Sequence, residues 1–418
     1  MSLFRRTLAT FAAAALVAGV AFAQQPPPRP SPVPRPVVPD APVPPPPDVD
    51  AKSWVLMDYA TGQILASKEP DMRVEPASIT KIMTDYVVSA ELGNGRIHMA
   101  DPVTISEHAW RGGGAGTDGS TSFLKLNSQV PLKDLLYGMI IQSGNDAAIA
   151  LAEHTAGSEE AFANLMNAYA KQIGMTGSHF ENASGYPIPN HYTTARDIAL
   201  LSRALIHDFP DDYAISAIKQ FEWNGIKQGN RNTLLWRDPS VDGIKTGHTA
   251  AAGFCLAASA KQGESRMIAI VMGASSEKAR ADSAMALLNY GFRFYETHKL
   301  YDANKPLATP KLWKGEAGTL PLGVTDPVQV TVKRGQYDQL KATMDIPATL
   351  IAPFKKGQQV GTLRVTLDGQ PVQTLPLVAL SDAPQGGFFK RLWDSILLWF
   401  HGSKKADAAA PAPSASSK

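Results

Sequence analysis

Ser78 and Lys81 stand three positions apart in "PASITKIMT", residues 76 to 84. If this stretch is helical, both side chains share one face. A serine hydroxyl is a weak nucleophile, but a neighbouring amine can take its proton when that amine is neutral part of the time. Burial or a second cation lowers a lysine pKa enough for that. The pair also reads as a helix N-cap followed by a surface lysine, and on its own it does not decide. The turn "QSGNDA" adds Ser143 and Asn145, a second hydroxyl that could relay a proton and an amide that could hold a carbonyl. Taken alone, it reads first as an ordinary turn with Asn145 capping the next helix. "GIKTGHT" adds Lys245, Thr246 and Gly247 at an expected strand end. A cation and a hydroxyl there could bind a carboxylate, and a glycine lets substrate backbone approach a strand edge. The plain alternative is a hairpin turn.

These groups need elements to hold them. "SWVLMDY" and "QILASKE" read as two strands around a Gly-containing turn. The stretch from Pro76 to Gly93 reads as one helix, with Gly93 as its stop. "PLKDLLYGMIIQSG" and "NDAAIALAEHTAG" are helices flanking the Ser143 turn, and "EEAFANLMNAYAKQIG" and "ARDIALLSRALIHDF" are two more. "AGFCLAASA" and "RMIAIVMGA" read as core strands, and residues 278–296 close the region as a helix. Strands at both ends with helices between predict an α+β fold, an antiparallel sheet covered by helices, over residues 51–298. Residues 299–384 are short, alternating and turn-rich, a small all-β domain. Residues 385–402 form an amphipathic helix, and 403–418 a disordered tail.

S-x-x-K, S-x-N and K-T-G, in this order, are the signature of serine penicillin-recognising enzymes. Ser143 follows Ser78 by 65 positions, and Lys245 follows Ser143 by 102. With "IQSGNDA", "NRNTLLW", "VDGIKTGHT", "GFRFYE" and the closing helix, residues 52 to 402 resemble the low-molecular-mass penicillin-binding proteins. These are the serine D-alanyl-D-alanine carboxypeptidases close to penicillin-binding protein 5. The resemblance implies Ser78 as acylated nucleophile, Lys81 as its general base and Ser143 as proton relay toward the leaving D-alanine. It implies Asn145, Lys245 and Thr246 as substrate-binding, and backbone N–H groups of Ser78 and His248 as the oxyanion hole. Arg231 and Arg280 match family arginines near the site and become candidates for the substrate carboxylate. The implied substrate is a peptidoglycan pentapeptide, with β-lactams as covalent inhibitors and no cofactor. Alternatives that use related residues are D,D-endopeptidase action on cross-links and β-lactamase activity. The latter calls for a deacylating glutamate, for which Glu181 is the nearest candidate, in a segment that reads as a structural loop. A non-enzymatic wall-binding scaffold is a third. The chain departs from the family pattern in its Ser-Gly-Asn middle motif, in the Gly-rich stretch 111–126, read as a mobile rim, and in a longer proline-rich arm.

Composition bounds the rest. The 418 residues suffice for two or three domains. Arg5 and Arg6, "LATFAAAALVAGV" and "AFA" form a secretory signal over residues 1–23. Removing those two arginines from the 40 basic residues leaves 38 against 38 acidic ones, so nothing suggests nucleic acid. Residues 24–50 are a proline-dominated linker. Cys255 is the only cysteine, which excludes an intramolecular disulfide, and it reads as a small buried hydrophobe. His98, His108, His154, His179 and His191 are scattered without metal-ligand spacing and read as surface or structural residues. In 385–402, Phe389, Trp393, Ile396 and Phe400 recur at helical spacing, widened by Phe388, Leu392 and Trp399, with Lys390, Arg391, Asp394 and Ser395 mostly opposite. The stretch is too short to span a bilayer, which needs about 20 apolar residues. Two tryptophans with flanking lysines predict a helix lying on a membrane surface. The expected location is periplasmic, peripherally attached to the inner membrane.

Overall fold

The structure is a computed structural model that describes residues 43–113 and 119–400, apart from the Phe400 side chain. The expected signal segment, most of the proline-rich arm and the 403–418 tail lie outside the described residues.

A five-stranded antiparallel sheet forms the centre. In spatial order its strands are Ile64–Lys68, Ser53–Asp58, Ser265–Ala274, Gly253–Gln262 and Val241–Thr249. Alternation explains why its inner strands read as unbroken apolar runs: both faces are covered. Val55, Met57, Ile268, Ile270 and Met272 face one core, built with the central helices. Trp54, Leu56, Met267, Ala269 and Val271 face the other, under the closing helix Glu277–Phe294.

Between the second and third strands in sequence, the chain makes the helical layer. Lys81–Gly93, Leu132–Ile141, Asn145–Ala156, Glu159–Ile173 and Ala195–Asp208 are its main helices. Their ends carry local signals. Ser158, Thr194 and Ser276 accept from backbone N–H three residues on, and Gly157 and Gly174 close helices with positive φ.

Three expectations change in detail. The helix predicted from Pro76 begins as a 3₁₀ turn, Ala77–Thr80, and becomes α-helical only at Lys81. Lys245, Thr246 and Gly247 lie within a nine-residue strand rather than at its end, because Val241–Thr249 pairs along its length with Gly253–Gln262. The last residues assigned to the linker are part of the globule: Val49 is buried, Val43 packs beside it, and Tyr290 donates to the Pro44 carbonyl at 2.9 Å.

The all-β region follows without a spacer. The strand Tyr295–Tyr301 straddles the expected boundary and pairs with Val328–Lys333. A four-stranded sheet orders Leu322–Gly323, Gln370–Ala379, Gln359–Leu367 and Leu340–Asp345, with its own two small cores. A polar junction joins it to the first domain. Thr297 donates to Asp58 Oδ2 at 2.6 Å, and the Thr61 and Thr331 hydroxyls lie 3.0 Å apart. The final helix, Phe388–Phe400, turns Asp394 inward, where it is buried and accepts from the Lys314 N–H at 2.6 Å.

Candidate active site

The 3₁₀ turn decides the geometry of Ser78 and Lys81. With three residues per turn their side chains eclipse, and the Lys81 amine donates to Ser78 Oγ at 2.9 Å. The same amine donates to Asn145 Oδ1 and to the Ser184 carbonyl, both at 2.7 Å. Three directed hydrogen bonds hold Nζ beside the hydroxyl. Lys81 is buried, so its charge is poorly solvated. Burial first, opposed by the charge of Asp146 and aided by that of Arg231, pulls its pKa down to about 7. The surface-lysine reading is therefore excluded by position.

Ser143 sits between two helices with φ of 65°, a left-handed conformation uncommon outside glycine. The turn is held from outside. Asp146 is buried and accepts from the N–H groups of Ser122 and Leu124 and from the Thr121 hydroxyl, and the Asn145 N–H donates to the Ser120 carbonyl. The glycine of Ser-Gly-Asn has a steric reason: a Cβ on Gly144 would lie 2.0 Å from Ser122 Oγ and 2.9 Å from Ser122 N.

The edge strand brings the third group. Lys245 Nζ donates to Ser143 Oγ at 2.8 Å and to the Thr246 carbonyl at 3.0 Å. Burial, with the nearby charges of Lys81, Arg231 and Arg280, holds its pKa well below that of an ordinary lysine. Gly247 is closely packed: a Cβ there would approach Ile79 N and the Pro76 carbonyl at 3.1 Å, so a side chain would need the nucleophile turn to give by a few tenths of an ångström. Arg280 is buried, stacks near Phe254 and donates to the Gly247 carbonyl at 3.3 Å. His248 is exposed and stacks on Phe254, with ring centroids 4.0 Å apart. Arg231 is exposed.

These residues surround a cleft of about 890 Å³. Ser78, Ser143, Asn145, Arg231, Thr246, Gly247, His248 and Arg280 form its walls, whereas Lys81 and Lys245 stand behind them. Among the described residues no cluster of His, Cys, Asp and Glu could hold a metal ion. Cys255 is buried on the strand beside Gly247.

Sequence reasoning missed the loop 181–187. Its Ser184 carbonyl reaches Lys81 from 103 residues away, and Gly185, Tyr186 and Pro187 line the cleft. Gly185 has φ of 82°, and a Cβ would meet the Ala77 carbonyl at 1.8 Å. No spacing rule ties this loop to Lys81; its one local signal is a glycine in a polar turn. Glu181 itself faces outward and pairs with His179.

The family model described as D-alanyl-D-alanine carboxypeptidase matches residues 40–276, and that of the penicillin-binding protein 5 C-terminal domain matches residues 295–385. The chain belongs to the D-alanyl-D-alanine carboxypeptidase family. It is 46% identical over 358 residues to D-alanyl-D-alanine carboxypeptidase DacC of Escherichia coli, covering 85% of this chain and 90% of that one. Penicillin-binding protein 5 from Haemophilus influenzae superposes with a TM-score of 0.77 at 41% identity, over 81% of this chain and 99% of that one. Ampicillin-bound penicillin-binding protein D2 from Listeria monocytogenes matches 59% of this chain and 99% of its own, at 26% identity and a TM-score of 0.54. The fold expected from the sequence, an α+β body with an all-β domain and a final helix, is the fold of this family.

Proposed function

We propose that the enzyme removes the terminal D-alanine from peptidoglycan pentapeptides through an acyl-enzyme on Ser78. The observation that carries the reading is the Lys81 amine, buried, 2.9 Å from Ser78 Oγ and with a pKa near 7. Neutral Lys81 takes the Ser78 proton as Oγ attacks the penultimate D-alanine carbonyl. The oxyanion is stabilised by the N–H groups of Ser78 and His248. Ser143, hydrogen-bonded to Lys245, passes a proton to the leaving nitrogen. Water then attacks the ester and Ser78 is released. Asn145 does two jobs, orienting Lys81 and facing the cleft. Lys245 reaches Ser143 from behind the wall, so the substrate carboxylate falls to Thr246 and the exposed Arg231, with Arg280 bracing the Gly247 carbonyl. Penicillin enters the same path and forms a stable ester.

Labelled penicillin tests this directly. It should attach to Ser78, and Ser78→Ala should abolish both labelling and release of D-alanine while leaving the fold intact. Labelling of the Ser78→Ala protein would remove the nucleophile assignment. A cross-linked peptide dimer run in parallel separates carboxypeptidase from endopeptidase action.

We further infer peripheral attachment to the periplasmic face of the inner membrane through Phe388–Phe400. Phe388, Phe389, Leu392, Trp393, Ile396 and Trp399 are all exposed, while Asp394 packs inward. No helix among the described residues is long and apolar enough to cross a membrane.

A further inference from the structure

The loop that delivers the Ser184 carbonyl is tied to the nucleophile helix at two points. One is the Thr84 hydroxyl, which donates to the Ala183 carbonyl at 2.6 Å. The other is His191, a residue the chemistry above leaves unused. Its imidazole is 4% exposed and bridges both sides. The Glu181 N–H donates to Nδ1 at 3.1 Å, so Nδ1 is the acceptor and the ring proton belongs on Nε2. Nε2 lies 2.8 Å from Thr80 Oγ1, within the same 3₁₀ turn as Ser78. Thr80 is fully buried. The Phe180 ring meets the imidazole edge-on, and burial plus the neighbouring His179 hold the His191 pKa down at about 4. His179 is itself paired with Glu181 at 3.0 Å on the outer side of the loop. His191 is therefore neutral, in one tautomer, with both nitrogens committed. The contact it fixes is a tight one, since Gly185 lies against both the Ala77 carbonyl and Thr80 Oγ1.

We propose that His191 is a positioning residue for acylation: through Thr80 and the Glu181 N–H it fixes the loop 181–186 against the nucleophile turn, and so aims the Lys81 amine by way of the Ser184 carbonyl. The proposal rests on the assignment of Ser78 and Lys81 above. Losing the bridge loosens the Ser184 carbonyl, which with Asn145 Oδ1 is one of the acceptors that orient Nζ. A displacement of about 1 Å in a reacting group lowers a rate by roughly 100-fold, so His191→Ala should lower the acylation rate constant roughly 10- to 100-fold. Non-covalent binding should fall less than the rate, because His191 itself does not line the cleft, although Gly185 and Tyr186 of the loop it holds do.

The experiment follows acylation of full-length mature protein by a fluorescent penicillin at several concentrations, which separates the bond-forming rate constant from binding. Four proteins are compared with wild type: His191→Ala, His191→Gln, Thr80→Val and the His191→Ala/Thr80→Val double variant. The proposal expects a loss of rate larger than any loss of binding in His191→Ala and Thr80→Val, no further loss in the double variant, and recovery in His191→Gln, whose amide offers a donor and an acceptor. Should His191→Ala not fold, Thr80→Val carries the same expectation. Acylation of His191→Ala at the wild-type rate overturns the proposal. So do additive losses, or a loss confined to thermal stability. Failure of wild-type protein to label at Ser78 is a different result, and sinks the assigned chemistry instead.

Discussion

The acid limb of the pH dependence of acylation should report Lys81. Its folded pKa of about 7 lies far below the ordinary lysine value of 10.5. The difference corresponds to about 5 kcal/mol favouring the neutral amine. At neutral pH roughly half of the molecules hold Lys81 as a base, against about 3 in 10,000 for an unperturbed lysine, so burial contributes about a thousandfold to the reactive fraction. The sign is fixed: protonation removes the base, so the acylation rate constant should fall about tenfold per pH unit below the midpoint and level off above it. Lys81→Arg sharpens the test. A guanidinium keeps its proton at every accessible pH, so the variant should acylate at least about a thousandfold more slowly and show no recovery at alkaline pH. The assay is the rate constant for labelling by a fluorescent penicillin from about pH 5 to pH 9. A flat profile, a midpoint above about pH 9, or a Lys81→Arg protein that labels at a tenth of the wild-type rate would each refute the neutral-base reasoning.

The same group links pH to stability. The unfolded chain holds the Lys81 proton more tightly than the fold does, so its cost to stability is full below about pH 7 and is relieved as pH rises toward 10.5; denaturation midpoints of wild type relative to Lys81→Met should rise across that window. Ser143→Ala should slow peptide turnover more than penicillin acylation, because both nitrogens must take up a proton but the strained β-lactam C–N bond breaks with less help from a proton donor than an unstrained amide; equal small losses on both substrates would remove the relay. Gly185→Ala should cost roughly 1–3 kcal/mol of stability or more, since the new Cβ collides with a backbone carbonyl at positive φ; chemical denaturation reads it, and a neutral result would mean that the loop moves freely off the turn. Truncation before Gly386 should leave peptide cleavage intact and abolish binding to anionic lipid vesicles; full-length protein that ignores the vesicles, or a truncated one that unfolds, would make the helix a structural one.

The sequence by itself marked the candidate reacting groups and their order. Ser78 with Lys81, Ser143 with Asn145, and Lys245 with Thr246 were legible because each pair lies within one local element, where spacing alone sets direction. The paired strands "AGFCLAASA" and "RMIAIVMGA" and the capped helices were legible for the same reason: propensity and period act over a few residues. Tertiary structure decided what those groups can do. The depressed Lys81 pKa is made by burial, aided by the charge of Arg231 and only partly offset by that of Asp146, and no local pattern reports this balance. The Ser143–Lys245 and Lys81–Ser184 contacts join residues more than 100 positions apart. Lys245, expected from the sequence to bind substrate, is buried with its amine on Ser143 Oγ, a placement set by the pairing of its strand and not by the K-T-G spacing. His191, one scattered histidine among several in the sequence, sits on the nucleophile turn only because a loop folds back across it. Residue types and short spacings are written locally; pKa values and wall positions come from which distant segments exclude water together.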